Sequence, residues 1–219
     1  MLRKIICRIL LLLVFISCVY SYEKESSKAN IENIVKTFGL PSDRNLKILN
    51  VKDYQQTTDI TCGPAAAMSL LHYYGTLKDS DMNSKTELRI AKEMGMNDDY
   101  GTTLKQMSYW LKKQGYEVKY GTKGSIDLIY ENIQKGMPVL VDWIDWGGHW
   151  ALVSGYQKLS KTVDDDKDTM LMTDSAVHFN NVKTVYGLTA INPDRFQSMW
   201  VDSTGVKGIY IIAYPKKDS

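Results

Sequence analysis

Reactive side chains are scarce in this sequence. Its 219 residues hold three cysteines and three histidines, and two of the cysteines, Cys7 and Cys18, lie close to the N-terminus. No cysteine–histidine cluster has the spacing of a zinc site, and no glycine loop has phosphate-binding form. Neither a metal nor an organic cofactor is therefore expected. Excess positive charge is lacking too: Lys and Arg number 27 against 25 Asp and Glu, a net +2. Without a basic stripe, nucleic acid is not an expected partner. No apolar run approaches the roughly 20 residues of a comfortable membrane span. Internal repeats and low-complexity tracts are also missing.

What is present begins with an export signal. Arg3, Lys4 and Arg8 precede an unbroken apolar run over 9–16, and small residues follow at Ser17 and Ser21. Charge, short apolar core and small residues in that order make a secretory signal peptide over 1–21. A cut after Ser21, with Val19 two places before it, would release a soluble protein. The rival is a cut before Cys18, where Phe15-Ile16-Ser17-Cys18 loosely resembles a bacterial lipoprotein box. An uncleaved anchor helix is the third option. The expected location is periplasmic, extracellular or lipid-anchored at the cell envelope, with membrane contact only through a lipid on Cys18. Removing the signal leaves Cys62 as the one thiol. In an exported protein an unpaired cysteine is either reactive or a small buried hydrophobe.

The remainder divides into 22–45, a polar linker with a short helix, and 46–219, one domain. Ile31, Ile34, Val35 and Phe38 have helical spacing, ended by Gly39 and Pro41. A strand is expected over 47–51. Helices follow over 63–74, closed by Gly75, and over 84–94, with Ser84 and Glu87 as a capping box. Another runs from a Thr103–Gln106 box, with Leu104, Met107, Trp110 and Leu111 on one face. A last one in this group covers 125–134. Strands dominate thereafter, over 118–120, 138–143, 150–156, 170–173, 184–188 and 209–214. Asn192-Pro193 opens a short helix to Trp200. Helices first and strands later specify an α+β domain with its N-terminal helices packed on an antiparallel sheet.

Cys62 stands where a polar loop turns into a helix of small and apolar residues. A thiol at a helix start feels the positive end of the helix dipole and unpaired amides. Gly63 and Pro64 suit a first turn, since glycine allows close backbone approach and proline lacks only an unneeded N–H. A cysteine nucleophile needs a base. His72 lies about ten residues along the same helix, roughly 15 Å away, and His178 follows an aspartate in a loop-like stretch. His149 begins a strand directly after Gly147-Gly148, whose bareness clears space for a substrate backbone, and is the better candidate. The imidazole needs an acceptor. Asp174, at the end of the next strand, is preferred over Asp142 and Asp145, which precede the glycine turn and are expected to face outward. A side-chain amide near the thiol, from Gln55 or Gln56, would donate to an oxyanion beside the Cys62 N–H. Gly148, and Trp146 in the turn beside His149, are candidate substrate contacts.

Three segments in order carry a resemblance: 56–65, then Gly148-His149-Trp150-Ala151-Leu152-Val153-Ser154-Gly155-Tyr156, then Thr173-Asp174-Ser175-Ala176. Together they resemble the bacteriocin-processing double-glycine peptidase family, and within the papain-like clan its stand-alone secreted branch. That family carries glutamine six places before a Cys-Gly pair, which selects Gln56 over Gln55. The resemblance implies a papain-like fold and an exported cysteine peptidase or amide hydrolase acting on a peptide or protein. It implies Cys62, His149 and Asp174 as triad and Gln56 as oxyanion donor. The sequence departs from the family pattern where Ser175 replaces the usual proline and where the 158–168 loop is long. No transporter segment follows, so leader-peptide processing during export is not expected. A monomer is expected. The alternatives are a catalytically silent binding or immunity module on the same scaffold, and an acyltransferase with an amine acceptor.

Asp164, Asp165, Asp166 and Asp168 alternate as in a calcium loop, but the required glycine at the sixth position and glutamate at the twelfth are missing. A solvated hairpin tip is expected instead. Trp143, Trp150, Tyr73 and Tyr74 are expected in the core or at its rim.

Overall fold

The computed structural model describes residues 31–40, 45–159, 167–176 and 187–216, the side chain of Trp146 excepted. The segments expected as signal peptide and as calcium-like loop tip (160–166) lie outside the described residues, as does His178. The chain forms two compact units that divide after Leu40. In the first, a helix over 31–38 (α1) has the anticipated apolar spacing and ends at Gly39 with φ +62°. No helix among the described residues is long and apolar enough to cross a membrane.

The second unit is built on seven strands and five helices among the described residues. In chain order these are β1 (Leu46–Ile48), α2 (Cys62–Tyr73), α3 (Ser84–Met94), α4 (Leu104–Lys113), β2 (Tyr116–Gly121), α5 (Ile126–Gln134), β3 (Val139–Trp143), β4 (His149–Gln157), β5 (Thr169–Thr173), β6 (Leu188–Ile191), α6 (Pro193–Met199) and β7 (Ile209–Pro215). The sheet is antiparallel in the order β2-β7-β3-β4-β5-β6, and β1 pairs with the far end of β4. This is the α+β arrangement anticipated, with three early helices preceding most of the sheet.

Local chemistry explains most boundaries. Thr103 and Gln106 form a reciprocal capping box at α4, and Asn192 caps α6 with Pro193 in its first turn. The start of α3 is different: Asn83 is the cap, its side chain accepting from the Thr86 N–H. Glu87 is therefore free of capping duty and turns elsewhere. Of the strand expected over 184–188, residues 184–186 lie outside the described residues, and Leu188 is the first residue of β6.

The core places α2 at the centre. Its residues from Cys62 to Leu71 are all buried, as fits a helix apolar on every side. It packs on β4, all nine residues of which are buried. Met68 and Leu70 are fully covered, and each such side chain contributes about 1.5–3 kcal/mol of burial free energy. A second cluster joins α6 to the sheet: Trp143, Phe196 and Trp200 stack with centroids 5.8 and 5.1 Å apart. It lies beneath the β3–β4 turn, which is tied down by the Ile144 N–H donating to Met199 O at 3.0 Å.

Candidate active site

Cys62 is the first residue of α2. Threonine is a common helix cap, yet Thr61 makes no side-chain cap bond. Its hydroxyl instead donates to Thr58 O at 3.0 Å and accepts the Thr58 N–H, also at 3.0 Å. Pro64 has no N–H to offer. The orphan donors at this helix start are thus the amides of Cys62 and Gly63, at the positive end of the helix dipole. Gly63 is needed for packing: a Cβ there would lie 2.8 Å from Thr102 Cβ and 3.0 Å from Met107 Cε. What approaches its backbone is the start of α4, held by the Trp150 indole N–H donating to Thr102 O at 2.8 Å.

The structure brings Cys62, His149 and Asp174 together. His149 Nε2 donates to Asp174 Oδ1 at 2.9 Å, and Cys62 is near enough to the ring to raise its basicity. His149 is 2% and Asp174 1% exposed. Burial alone would discharge the imidazole, but the hydrogen bond that Asp174 accepts from it and the pull of Asp174 and Cys62 overcome it, pushing His149 up to about 10. For Asp174 burial again opposes charge. The His149 hydrogen bond and charge, the Ala176 N–H and the Thr189 hydroxyl win, holding its carboxyl below the usual range.

His72 is elsewhere, paired with Asp79 at 3.0 Å. Asp142 does not bond the ring and does not face outward as anticipated. It is half-buried on β3, next to the strand position opposite His149. Burial and the neighbouring Asp202 raise its carboxyl to about 7, against the pull of His149.

Gln56 and Gln55 flank one turn but differ in use. The Gln56 N–H donates to Ser175 O at 3.0 Å. Its side-chain Oε1 accepts the Ser175 hydroxyl at 2.8 Å, and its Nε2 donates to Thr58 O at 2.9 Å. Gln55 Nε2 donates to the Asp174 carbonyl at 3.4 Å, and its side chain also bonds Asp53. The serine that replaces proline after Asp174 thus orients the Gln56 amide.

Gly147 opens on free space, whereas a Cβ on Gly148 would meet Ser203 at 3.5 Å. At Gly148 the constraint is conformational, since φ is +120°. Trp146 lies in the 3-10 turn Asp145–Gly147. Asp168 is no solvated tip residue: it is buried and accepts the Tyr156 hydroxyl at 3.1 Å and the Leu159 N–H at 2.8 Å, closing the base of its hairpin. No group of metal-binding side chains occurs among the described residues. Sequence reasoning missed Glu87, Ser203 and Asp202 at or near this site. Ser203 and Asp202 sit in no motif, the sequence pattern assigns Glu87 to a capping box, and only the chain's return to the site reveals them.

A helical layer with a thiol at a helix start, set on an antiparallel sheet that carries an imidazole, is the layout of papain-like cysteine peptidase domains. Comparison with known proteins agrees. The model of the Peptidase C39 like family matches residues 48–205, and the chain belongs to that family. Among solved structures it is similar to the peptidase domain of Streptococcus ComA, a bi-functional ABC transporter involved in quorum sensing. There the TM-score is 0.54 at 21% identity, covering 76% of this chain and 99% of that one. It is also similar to a C39-like peptidase from Bacillus anthracis (TM-score 0.55, 16% identity, 80% and 100% covered). A third is a double glycine motif protease from an AMS/PCAT transporter, solved in complex with the leader peptide (0.53, 17%, 78% and 95%). No curated protein matches the chain in sequence.

Proposed function

We propose that this protein is an exported cysteine peptidase in which Cys62 is the nucleophile, His149 the general acid and base, Asp174 its orienting partner and Gln56 an oxyanion donor. The observation that carries the reading is the buried imidazole bonded to a carboxylate, with the thiol at the start of α2 near enough to raise its basicity. In the reaction the Cys62 thiolate attacks a peptide carbonyl carbon, and the carbonyl electron pair moves onto oxygen. That oxyanion is met by the Cys62 N–H and by the Gln56 amide, whose Nε2 carries two N–H bonds and spends one on Thr58. The tetrahedral adduct collapses as His149 protonates the leaving amine, leaving a thioester on Cys62. Water, deprotonated by His149, then releases the acid and regenerates the thiolate. Gly147, Gly148 and Trp146 are the proposed substrate contacts.

A peptide substrate is supported by family membership and by the leader peptide bound to one structural relative. Export is supported by the charge and apolar pattern of residues 1–21. Incubation with a peptide library should give cleavage products that Cys62→Ala and His149→Ala both abolish. Products that persist in Cys62→Ala would refute the assignment. Mass spectrometry of the natively exported protein should show a new N-terminus at Tyr22 or a lipidated Cys18; an intact Met1 would refute export by signal cleavage.

A further inference from the structure

Glu87 is a buried carboxylate that the proposed chemistry does not use. It lies on α3, outside the triad, and is 0% exposed. An ionised carboxylate removed from water must be matched by donors. All its donors come from one short loop: the Thr57 N–H reaches Oε1 at 2.9 Å and Oε2 at 3.1 Å, the Tyr54 hydroxyl reaches Oε2 at 3.0 Å, and the Thr57 hydroxyl also bonds Oε2. Those residues flank Gln56 in sequence. On its other side the same loop is bonded to the turn after β5, through Gln56 to Ser175 and Gln55 to the Asp174 carbonyl. The loop is thus gripped from two elements, and α3 contributes through one side chain.

We infer that Glu87 is a positioning residue for the oxyanion site: its carboxylate grips Tyr54 and Thr57 and thereby sets the place of the Gln56 amide between them. The inference rests on the reading of Gln56 as oxyanion donor. A leucine or methionine would fill an α3 position packed on α2 without desolvating a charge. A carboxylate there buys backbone placement, since it accepts only, and every contact it makes is a donor from residues 54–57.

The test compares Glu87→Gln, which keeps shape but puts an NH2 donor where one of the two acceptor oxygens stood, with the wild type. A peptide aldehyde forms a hemithioacetal on Cys62 whose oxygen occupies the oxyanion site, whereas iodoacetamide alkylates the same thiol without forming an oxyanion. Glu87→Gln should weaken the aldehyde and lower kcat about tenfold, with KM and the alkylation rate within about twofold. In the Gln56→Ala background it should have no further effect. Hydrogen exchange should quicken at residues 56–58 and stay unchanged in α2. A parallel loss of alkylation and aldehyde binding, or losses additive with Gln56→Ala, would overturn the inference. So would unchanged exchange at 56–58, whatever the activity. If the wild type neither cleaves peptides nor binds the aldehyde, the peptidase reading fails, and the exchange data still decide the grip of Glu87 on the loop.

Discussion

Replacing Asp174 by alanine removes the carboxylate that keeps His149 charged. The imidazole sits near 10 because hydrogen bonds and charge outweigh a large desolvation effect. A hydrogen bond to an ionised group is worth about 1.5–3 kcal/mol, and each 1.36 kcal/mol moves a titration by about one unit. Asp174→Ala should therefore lower the His149 titration by about 1–2 units, with Cys62 sustaining the remainder. The sign of the stability effect follows from the same shifts. His149 is raised from 6.5, so its contribution is complete below pH 6.5 and is lost as pH rises through about 10. Asp174 is lowered from 3.8, so its contribution is present above that value and lost as pH falls through its depressed one. The deficit of the variant should be greatest between about pH 4 and 6.5 and shrink towards pH 10, and breaking a buried pair costs about 3–5 kcal/mol. Nitrogen-15 NMR of the imidazole reads the titration, and urea unfolding across pH reads the stability. Asp174→Asn, whose amide oxygen can still accept from Nε2, should fall between wild type and alanine. An alanine variant in which His149 titrates as in the wild type would refute the electrostatic account.

Gln56→Ala should reduce kcat about 10²–10³-fold while Gln55→Ala changes it only a few-fold, measured by steady-state hydrolysis; equal losses would remove the distinction between the two amides. Asp142 is raised from 3.8 to about 7, so the folded state holds its proton longer and stability falls as pH rises across that window. Asp142→Asn should flatten this decline in thermal melts, and an unchanged slope would show that burial and Asp202 do not act as described. Gly187 has φ +70°, and a Cβ there would strike the Asp53 carboxylate, while its carbonyl accepts the Asp174 N–H at 2.7 Å. Gly187→Ala should destabilise by about 1 kcal/mol or more and slow hydrolysis, whereas a neutral effect on both would mean the turn relaxes freely.

Much of this molecule is legible in its sequence because its signals are local. Caps at Thr103 and Asn192 and the apolar faces of α3 and α4 locate helices before any contact is known. The thiol at a helix start and the glycines before His149 are equally local. Less legible is anything set by the chain's return. Glu87 follows a serine at capping-box distance, yet its true partners lie some thirty positions earlier. Asp142 is exposed by pattern but half-buried on β3, with Asp202 near enough to raise its carboxyl. Asp168 sits in an acidic run that suggests solvent, and strand pairing buries it against Tyr156. In each case the polar side chain is placed by tertiary neighbours that no periodicity encodes.

Acid quenching of the protein within milliseconds of mixing with an activated peptide ester, followed by mass spectrometry, tests the chemistry most directly. An acyl group should be found on Cys62, absent in Cys62→Ala and accumulating far more slowly in His149→Ala. No acyl adduct during demonstrable turnover, or one located on another residue, would contradict it.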